Sequence, residues 1–251
     1  MIGIALHAEV RKALASRVLR WTTLLVVAGL ALIVGGMTLA VRAGDPQVVA
    51  KLGQVAGLEG WAAVTAMAAQ VTSAGALVAM GVALSWVFGR EFADGTVPGL
   101  FALPVPRAAI ALAKLLVHLA WVAATSVLLV AAVWAVGALT GAGALDGASA
   151  AALGRQLLLG VLTGCIATPA AWAATLGRGL LPGIATTIGI VVVSQVMAVA
   201  GVGGWFPFTA PALWAIEPGT VGGAQLALVA VVPLGFGALT ALAWHRLQLD
   251  R

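Results

Sequence analysis

Side chains able to do chemistry are scarce in this sequence. Of 251 residues one is cysteine, three are histidine, thirteen are Lys or Arg and eight are Asp or Glu. Cys165 stands alone, which excludes a disulfide framework, a CxxC redox pair and a cysteine-rich zinc site. His7, His118 and His245 lie far apart and form no HExxH or other ligand spacing, so no metal centre is expected. A phosphate-binding loop needs GxxxxGK followed by Ser or Thr, the lysine neutralising phosphate while backbone amides cradle it. Lys12, Lys51 and Lys114 neither follow a glycine nor precede Ser or Thr, so the chain carries no ATPase motif. A serine protease within a bilayer would need an activated serine and a histidine at comparable depth. Ser73, Ser85, Ser126 and Ser194 are available, but none sits in a GxSx signature and His118 has no orienting carboxylate. Neither enzymatic chemistry nor a cofactor of its own is expected in this chain.

Beyond the N-terminal segment, charge gathers in one place. Gly89 to Arg107 reads GREFADGTVPGLFALPVPR and holds Arg90, Glu91, Asp94 and Arg107. Two helix-like turns, Arg90 to Ala93 and Val97 to Leu103, flank Asp94-Gly95, a dipeptide suited to a tight turn. Pro104 and Pro106 then end any helix. The spacing predicts a short charged elbow. It suits docking to another protein, or else it is a solvated loop whose charges only fix topology.

The elements that hold this elbow are built for lipid. Residues are 62% hydrophobic and 8% charged, the mean hydropathy is +1.11, and a soluble domain carries about 25% charged residues. A hydrocarbon core of about 30 Å needs roughly 20 apolar residues per helix, and six stretches qualify: about 21–41, 61–88, 108–139, 156–176, 179–200 and 221–244. The runs are continuously apolar, unlike the alternation of a membrane barrel. The expected fold is therefore all-α, a single polytopic domain over residues 1–251 with six transmembrane helices.

Arg11, Lys12, Arg17, Arg20, Arg90, Arg107, Lys114, Arg178, Arg246 and Arg251 fall on one side of that topology, and Arg42, Lys51 and Arg155 on the other. The positive-inside bias then puts both termini in the cytoplasm of a cell-membrane protein. The isoelectric point near 10.7 reflects these scattered charges, and no basic stripe for nucleic acid is present. Trp21, Trp61, Trp86, Trp205, Trp214 and Trp244 fall near span ends, where amphipathic rings collect. Residues 1–20 carry positive charge ahead of an apolar run, as a signal peptide does. That run is about 20 residues long instead of 7 to 15, with no small-residue cleavage site, so a retained span is expected. Within residues 1–20, Ile4, Val10, Leu14 and Val18 share one helical face, with Glu9, Lys12, Ser16, Arg17 and Arg20 mostly opposite. Such a helix would lie in the membrane interface, the alternative being a basic flank that only sets topology.

The basic amphipathic N-terminus, the six spans and the first long loop together resemble the type-2 ABC exporter permease family. The loop motif is Glu91, Gly95 and Thr96, followed by Leu103, Pro104, Arg107 and Lys114. The resemblance implies a subunit that pairs with a second permease copy, identical or similar, and with P-loop ATPase subunits that carry the ATP and Mg. It implies that residues 89–107 form a coupling segment against the ATPase, with Arg90, Glu91, Asp94, Gly95, Thr96 and Arg107 as contact or loop-shaping positions. The proline-rich stretch Gly201 to Thr220 is similar to the partly re-entrant segment of such permeases. The second and fifth spans would flank a central cavity, giving Met67, Gln70, Ser73, Ser194, Gln195 and Met197 as candidate lining, or alternatively as interhelical hydrogen-bonding groups. The expected cargo is amphipathic or apolar, lipid- or antibiotic-like.

A carrier driven by an ion gradient is the competing reading. Such carriers place ionisable residues inside the bilayer, and no acidic residue falls within the predicted spans. His118 is the one titratable candidate at depth, and a lone histidine there reads more simply as structure. Cys165 and Thr168-Pro169 predict a kink in the fourth span. Glycine pairs such as Gly160 and Gly164 permit close helix approach without locating a dimer face.

Overall fold

The computed structural model describes residues 2–102 and 104–248. Leu103 of the loop motif and Arg251 of the charge count lie outside the described residues, which form helices and no strand. Helix α1 (Ile2–Ala15) is followed by α2 (Arg17–Arg42), α3 (Pro46–Leu52), α4 (Gly60–Val71), α5 (Leu77–Ala93), α6 (Val97–Phe101) and α7 (Arg107–Leu139). The second half contains α8 (Gly147–Ile166), α9 (Pro169–Leu176), α10 (Leu180–Val199), α11 (Ala210–Ile216), α12 (Gly223–Leu228) and α13 (Val231–Arg246).

Six stretches are long and apolar enough to cross a membrane: α2, α4 with α5, α7, α8 with α9, α10, and α12 with α13. The second is continuous because a π-helical turn over Thr72–Ala76 joins α4 to α5. It also runs past the predicted end at residue 88, through Arg90 to Ala93, so Glu91 belongs to the span's own helix. The fourth is interrupted at the place where a kink is expected. Pro169 cannot continue the backbone ladder of α8, and α9 restarts with that proline in its first turn.

At 33 residues α7 is about 50 Å long, and it is the axis of the bundle, touching α1, α2, α4, α5, α8 and α13. Val34, Val64, Met67, Met80, Val122, Leu129 and Val133 form one core around it. A second core, with Leu84, Phe88, Ile110, Ala113, Ala174 and Trp244, lies at the end where α5 stops and α7 begins. The glycine pair on α8 belongs to this packing: a Cβ on Gly160 would strike Ser126, and one on Gly164 would strike Val122. That pair is thus an α7–α8 seam inside the chain. The tryptophans divide. Trp21 and Trp205 are exposed as a belt would require, whereas Trp61 and Trp244 are buried and hydrogen-bonded to Gly143 and Thr175.

The α7–α8 seam predicts an asymmetry between two glycines of one helix. Gly164→Leu should overpack the seam, costing about 1–3 kcal/mol, and lower the thermal midpoint in detergent. Gly154→Leu, at an exposed position with open space around it, should leave the midpoint unchanged.

Candidate functional site

The elbow begins as a helix terminus. Asp94 caps α5 in helical geometry, and Gly95 follows at φ +66°, a left-handed conformation that favours glycine. The Gly95 amide donates to the Phe92 carbonyl at 3.2 Å and the Thr96 amide to the Glu91 carbonyl at 3.0 Å, the paired bonds of a Schellman ending. The spacing of Glu91, Gly95 and Thr96 follows from this geometry. Wrapping the chain by one left-handed residue returns Thr96 over Glu91, where its hydroxyl donates to the Glu91 carboxylate.

That carboxylate is the centre of a closed ring of four charges. Lys114 Nζ lies 2.6 Å from Glu91 Oε1 and 3.0 Å from Glu9 Oε2. Lys12 Nζ lies 3.1 Å from Glu91 Oε1 and 3.0 Å from Glu9 Oε1. Each carboxylate therefore contacts both ammonium groups, and the charges cancel. Glu91 and Lys114 are 2% and 1% exposed by side chain, Glu9 7% and Lys12 34%. The ring is open to its surroundings only at Lys12. Burial works against the charge on Lys12, but Glu9 and Glu91 outweigh it and hold its pKa above the ordinary lysine value. Its contribution is present at neutral pH and would be lost only as the pH rises through that raised value.

The ring joins three elements. Glu9 and Lys12 come from α1, Glu91 from α5 and Lys114 from α7. On α1, Ala5, Glu9 and Lys12 follow helical spacing down one side, so the part of the polar face that holds Glu9 and Lys12 turns inward. Ile4, Val10 and Leu14 are left outward at 66%, 39% and 75% exposure. Ser16 breaks α1 from α2, its hydroxyl accepting the Leu19 amide at 3.2 Å.

Beyond Thr96, α6 packs Val97 inward, and Phe88, Phe92 and Phe101 set their rings edge-on around Trp244, with centroids 6.0–6.3 Å away. The Arg107 guanidinium lies 3.9 Å over the Phe101 ring and donates to the Leu247 carbonyl at 2.7 Å, joining the elbow to the segment after α13. Arg90 lies 4.5 Å over Trp86. Of the six candidate coupling residues, Asp94, Gly95 and Thr96 are exposed, Arg90 and Arg107 are half-buried, and Glu91 is enclosed in the ring.

The six cavity candidates are placed on two helical stretches. Met67 lies in the core at 1% exposure with its sulfur 3.7 Å from Thr38 Oγ1. Gln70 and Ser73 are half-buried, and the Ser73 hydroxyl donates to the Ala69 carbonyl. On α10, Gln195 is exposed, Met197 is half-buried, and the Ser194 hydroxyl is without a partner among the described residues. Sequence reasoning missed Glu9, Lys12 and Trp244 as site residues, and met Lys114 only as part of the loop motif. The available signal was Lys114 itself: a lysine in an apolar span requires an anion, and Glu91 and Asp94 were the two nearest in sequence. His118, one turn beyond Lys114, is buried against Trp121 with neither ring nitrogen hydrogen-bonded in the described structure.

Six apolar spans, with a charged elbow locked to an N-terminal helix at one end, define a multi-pass helical membrane protein. The sequence matches the model of the family described as ABC-2 family transporter protein over residues 6–194, and the chain belongs to that family. It is the membrane-spanning permease subunit of an ABC transporter, a family whose membrane subunits rely on a partner to hydrolyse ATP. No curated protein matches the sequence.

Opening the ring should be costly, and closing it by neutralisation should restore part of the loss. Lys114→Met leaves two buried carboxylates facing one ammonium and should cost about 3–5 kcal/mol; adding Glu91→Gln should recover part of this, read as thermal midpoint in detergent. His118→Leu removes an unsatisfied polar group and should leave the midpoint equal or higher.

Proposed function

We propose that this permease is an exporter subunit working as a homodimer or with a similar second copy, and that the elbow between α5 and α7 is where the separate ATPase docks. The ion ring carries this reading. A docking segment transmits force only if it is fixed to what must move, and Glu91 fixes the elbow to α1 and α7 together. Closure of the ATPase pair would push on the exposed side of the elbow, at Asp94, Gly95 and Thr96. The ring and the Trp244 cluster would pass that displacement to α5, α7 and α13, changing how the spans pack and opening the cavity to the other side. Binding energy at the partner thus biases the equilibrium between two packings.

In this reading the elbow end and both termini are cytoplasmic, in agreement with the distribution of Lys and Arg. Helix α1 lies in the membrane interface, its outward Ile4, Val10 and Leu14 in the acyl boundary and its charged face on the bundle. Gln70, Ser73, Ser194, Gln195 and Met197 line the cavity between the two copies, with Met67 packed behind them. The apolar length of α10, with Ile188, Val192 and Val196 exposed, supports a face turned to lipid or to the second copy. Such a cavity suits an amphipathic or apolar cargo.

The coupling role is tested by Glu91→Gln combined with Arg107→Ala, reconstituted with the ATPase. Transport per ATP hydrolysed should fall by about tenfold or more, equivalent to at least 1.4 kcal/mol of lost coupling, while the chain still inserts in the membrane. Normal coupling in the double variant would overturn the proposal. His118→Leu should retain ATP-driven transport; transport that needs His118 and an ion gradient but no ATP would favour a carrier instead.

A further inference from the structure

The second span is one helical stretch, Gly60–Ala93, whose two halves sit mainly on different neighbours. α4 packs on α2, α7, α8 and α11, and its Val64 and Met67 share a core with Val34 of α2 and Val122 and Leu129 of α7. Trp61 fixes its first turn: the ring fills the space that a Cβ on Gly137 would need, and Nε1 donates to the Gly143 carbonyl at 3.0 Å. The other half, α5, lies chiefly on α10 and α9. A Cβ on Gly81 would strike Thr187, one on Gly183 would strike Ser85, and one on Gly89 would strike the backbone of Gly179 and Leu180. Positions rise by four along α5 as they fall along α10, so the two helices meet antiparallel in a close seam. Ala170 of α9 borders the same seam through its carbonyl, which faces Gly183.

Between the halves is the π-helical turn Thr72–Ala76. A π-turn takes in a residue beyond the α ladder and is a known cause of bends. Here the Ser73 hydroxyl also donates to the Ala69 carbonyl at 2.6 Å, a back-bond that bends helices. The turn is held to α8 by a side-chain hydrogen bond, from Gln156 Nε2 to Thr72 Oγ1 at 2.7 Å. Toward α2 it is loosely covered. A cavity of about 120 Å³ is lined by Thr72, Gly75 and Ala76 of the turn and by Leu25, Gly29 and Ile33 of α2. Gly75 is exposed, and a Cβ there would meet nothing within 4 Å.

We propose that Thr72–Ala76 is a hinge about which α5 swings, together with α10, α9 and the elbow, while α4 stays with α2, α8 and the later turns of α7. This rests on the reading of the elbow as the docking point of the ATPase, and it says which helices the docking force displaces. If α5 slid without α10, atoms would clash along the glycine seam, so the pair moves as one lever. Inside hydrocarbon a span cannot leave its backbone groups unpaired, and a turn that already departs from the α ladder is where it flexes most easily. The ion ring takes α1 and the first turns of α7 along with the elbow. At 33 residues α7 is long enough to curve gently between its ends.

The first test removes the surplus residue. Deleting Gly75 turns the π-turn into α-helix and leaves α4 and α5 each in register with its own neighbours. The full chain reconstituted with its ATPase should then keep its thermal midpoint and lose transport per ATP hydrolysed by about tenfold. Deleting Val82, exposed but inside α5, shifts the register and should lower the midpoint instead. Wild-type transport per ATP without Gly75 would overturn the hinge. The second test needs no deletion and decides even if that variant fails to fold. Cys165, the native cysteine, is replaced by alanine, and spin labels are placed in pairs at the exposed Leu32 of α2, Val78 of α5 and Leu181 of α10, diluted with unlabelled copies. On adding ATP the Leu32–Leu181 distance should change by more than about 2 Å, while Val78–Leu181 stays constant. An unchanged Leu32–Leu181 distance in a complex that transports would overturn the hinge and leave the elbow reading standing. A distance that changes with ATP, in a complex whose coupling survives Glu91→Gln with Arg107→Ala, would support the hinge and overturn the elbow alone.

Discussion

Removing a charged group from water costs several kcal/mol even after the protein relaxes around it, and this chain does so three times in one place, with a fourth charge half-buried beside them. The cost is met only because each of Glu9, Lys12, Glu91 and Lys114 contacts both opposite charges. That requirement fixes the relative positions of α1, α5 and α7 to within the reach of an ion pair. Neighbouring features serve the same end. The left-handed Gly95 brings Thr96 back to the second oxygen of Glu91, and the Val87 carbonyl lies 3.5 Å from Lys114 Nζ, so the remaining polar capacity of the ring is largely used.

The elbow consequently has two anchorages of different chemistry. One is ionic and directional, at Glu91. The other is aromatic and spread over three edge-on rings around Trp244, whose indole is tied to Thr175 on α9. Between them α6 is too short to hold a conformation by itself. It is rigid because both ends are fixed, and Arg107 adds the segment beyond α13 to the same assembly. The exposed strip at Asp94 to Thr96 rides on a support that reaches most of the bundle.

How much of this could be read in the residues depends on the range of each interaction. The six spans were legible because apolar run length is a local quantity, and the interruption at Pro169 because a missing amide acts on its own helix. The Asp94-Gly95 turn was legible for the same reason. Glu91 was singled out, but as part of a docking surface, and its burial was not foreseen: its partners lie at positions 9, 12 and 114, and nothing local to residue 91 reports them. The predicted second span ended at 88 because the charges of Arg90 and Glu91 read as the onset of a loop, while the helix continues because one of those charges is neutralised from other elements. Trp244 shows the same limit. Near a span end an indole suits the membrane interface, and only the arrival of Phe88, Phe92, Phe101 and Thr175 turns it into a core residue. For Gly160 and Gly164 the spacing announced close approach, and the identity of the neighbouring helix was the part that required three dimensions.

The ring also has a bearing on how the chain is made. Two of its charges are translated ahead of the first span, the third at the end of the second, and the last only with the third. Until Lys114 is synthesised, Glu9 and Lys12 can pair with each other but α1 has no complete seat, and Glu91 lacks its closest counter-ion. A nascent chain that stalled or inserted with one span missing would expose an unneutralised carboxylate at a helix end. The ring can thus close only once the start of the third of the six spans has been made.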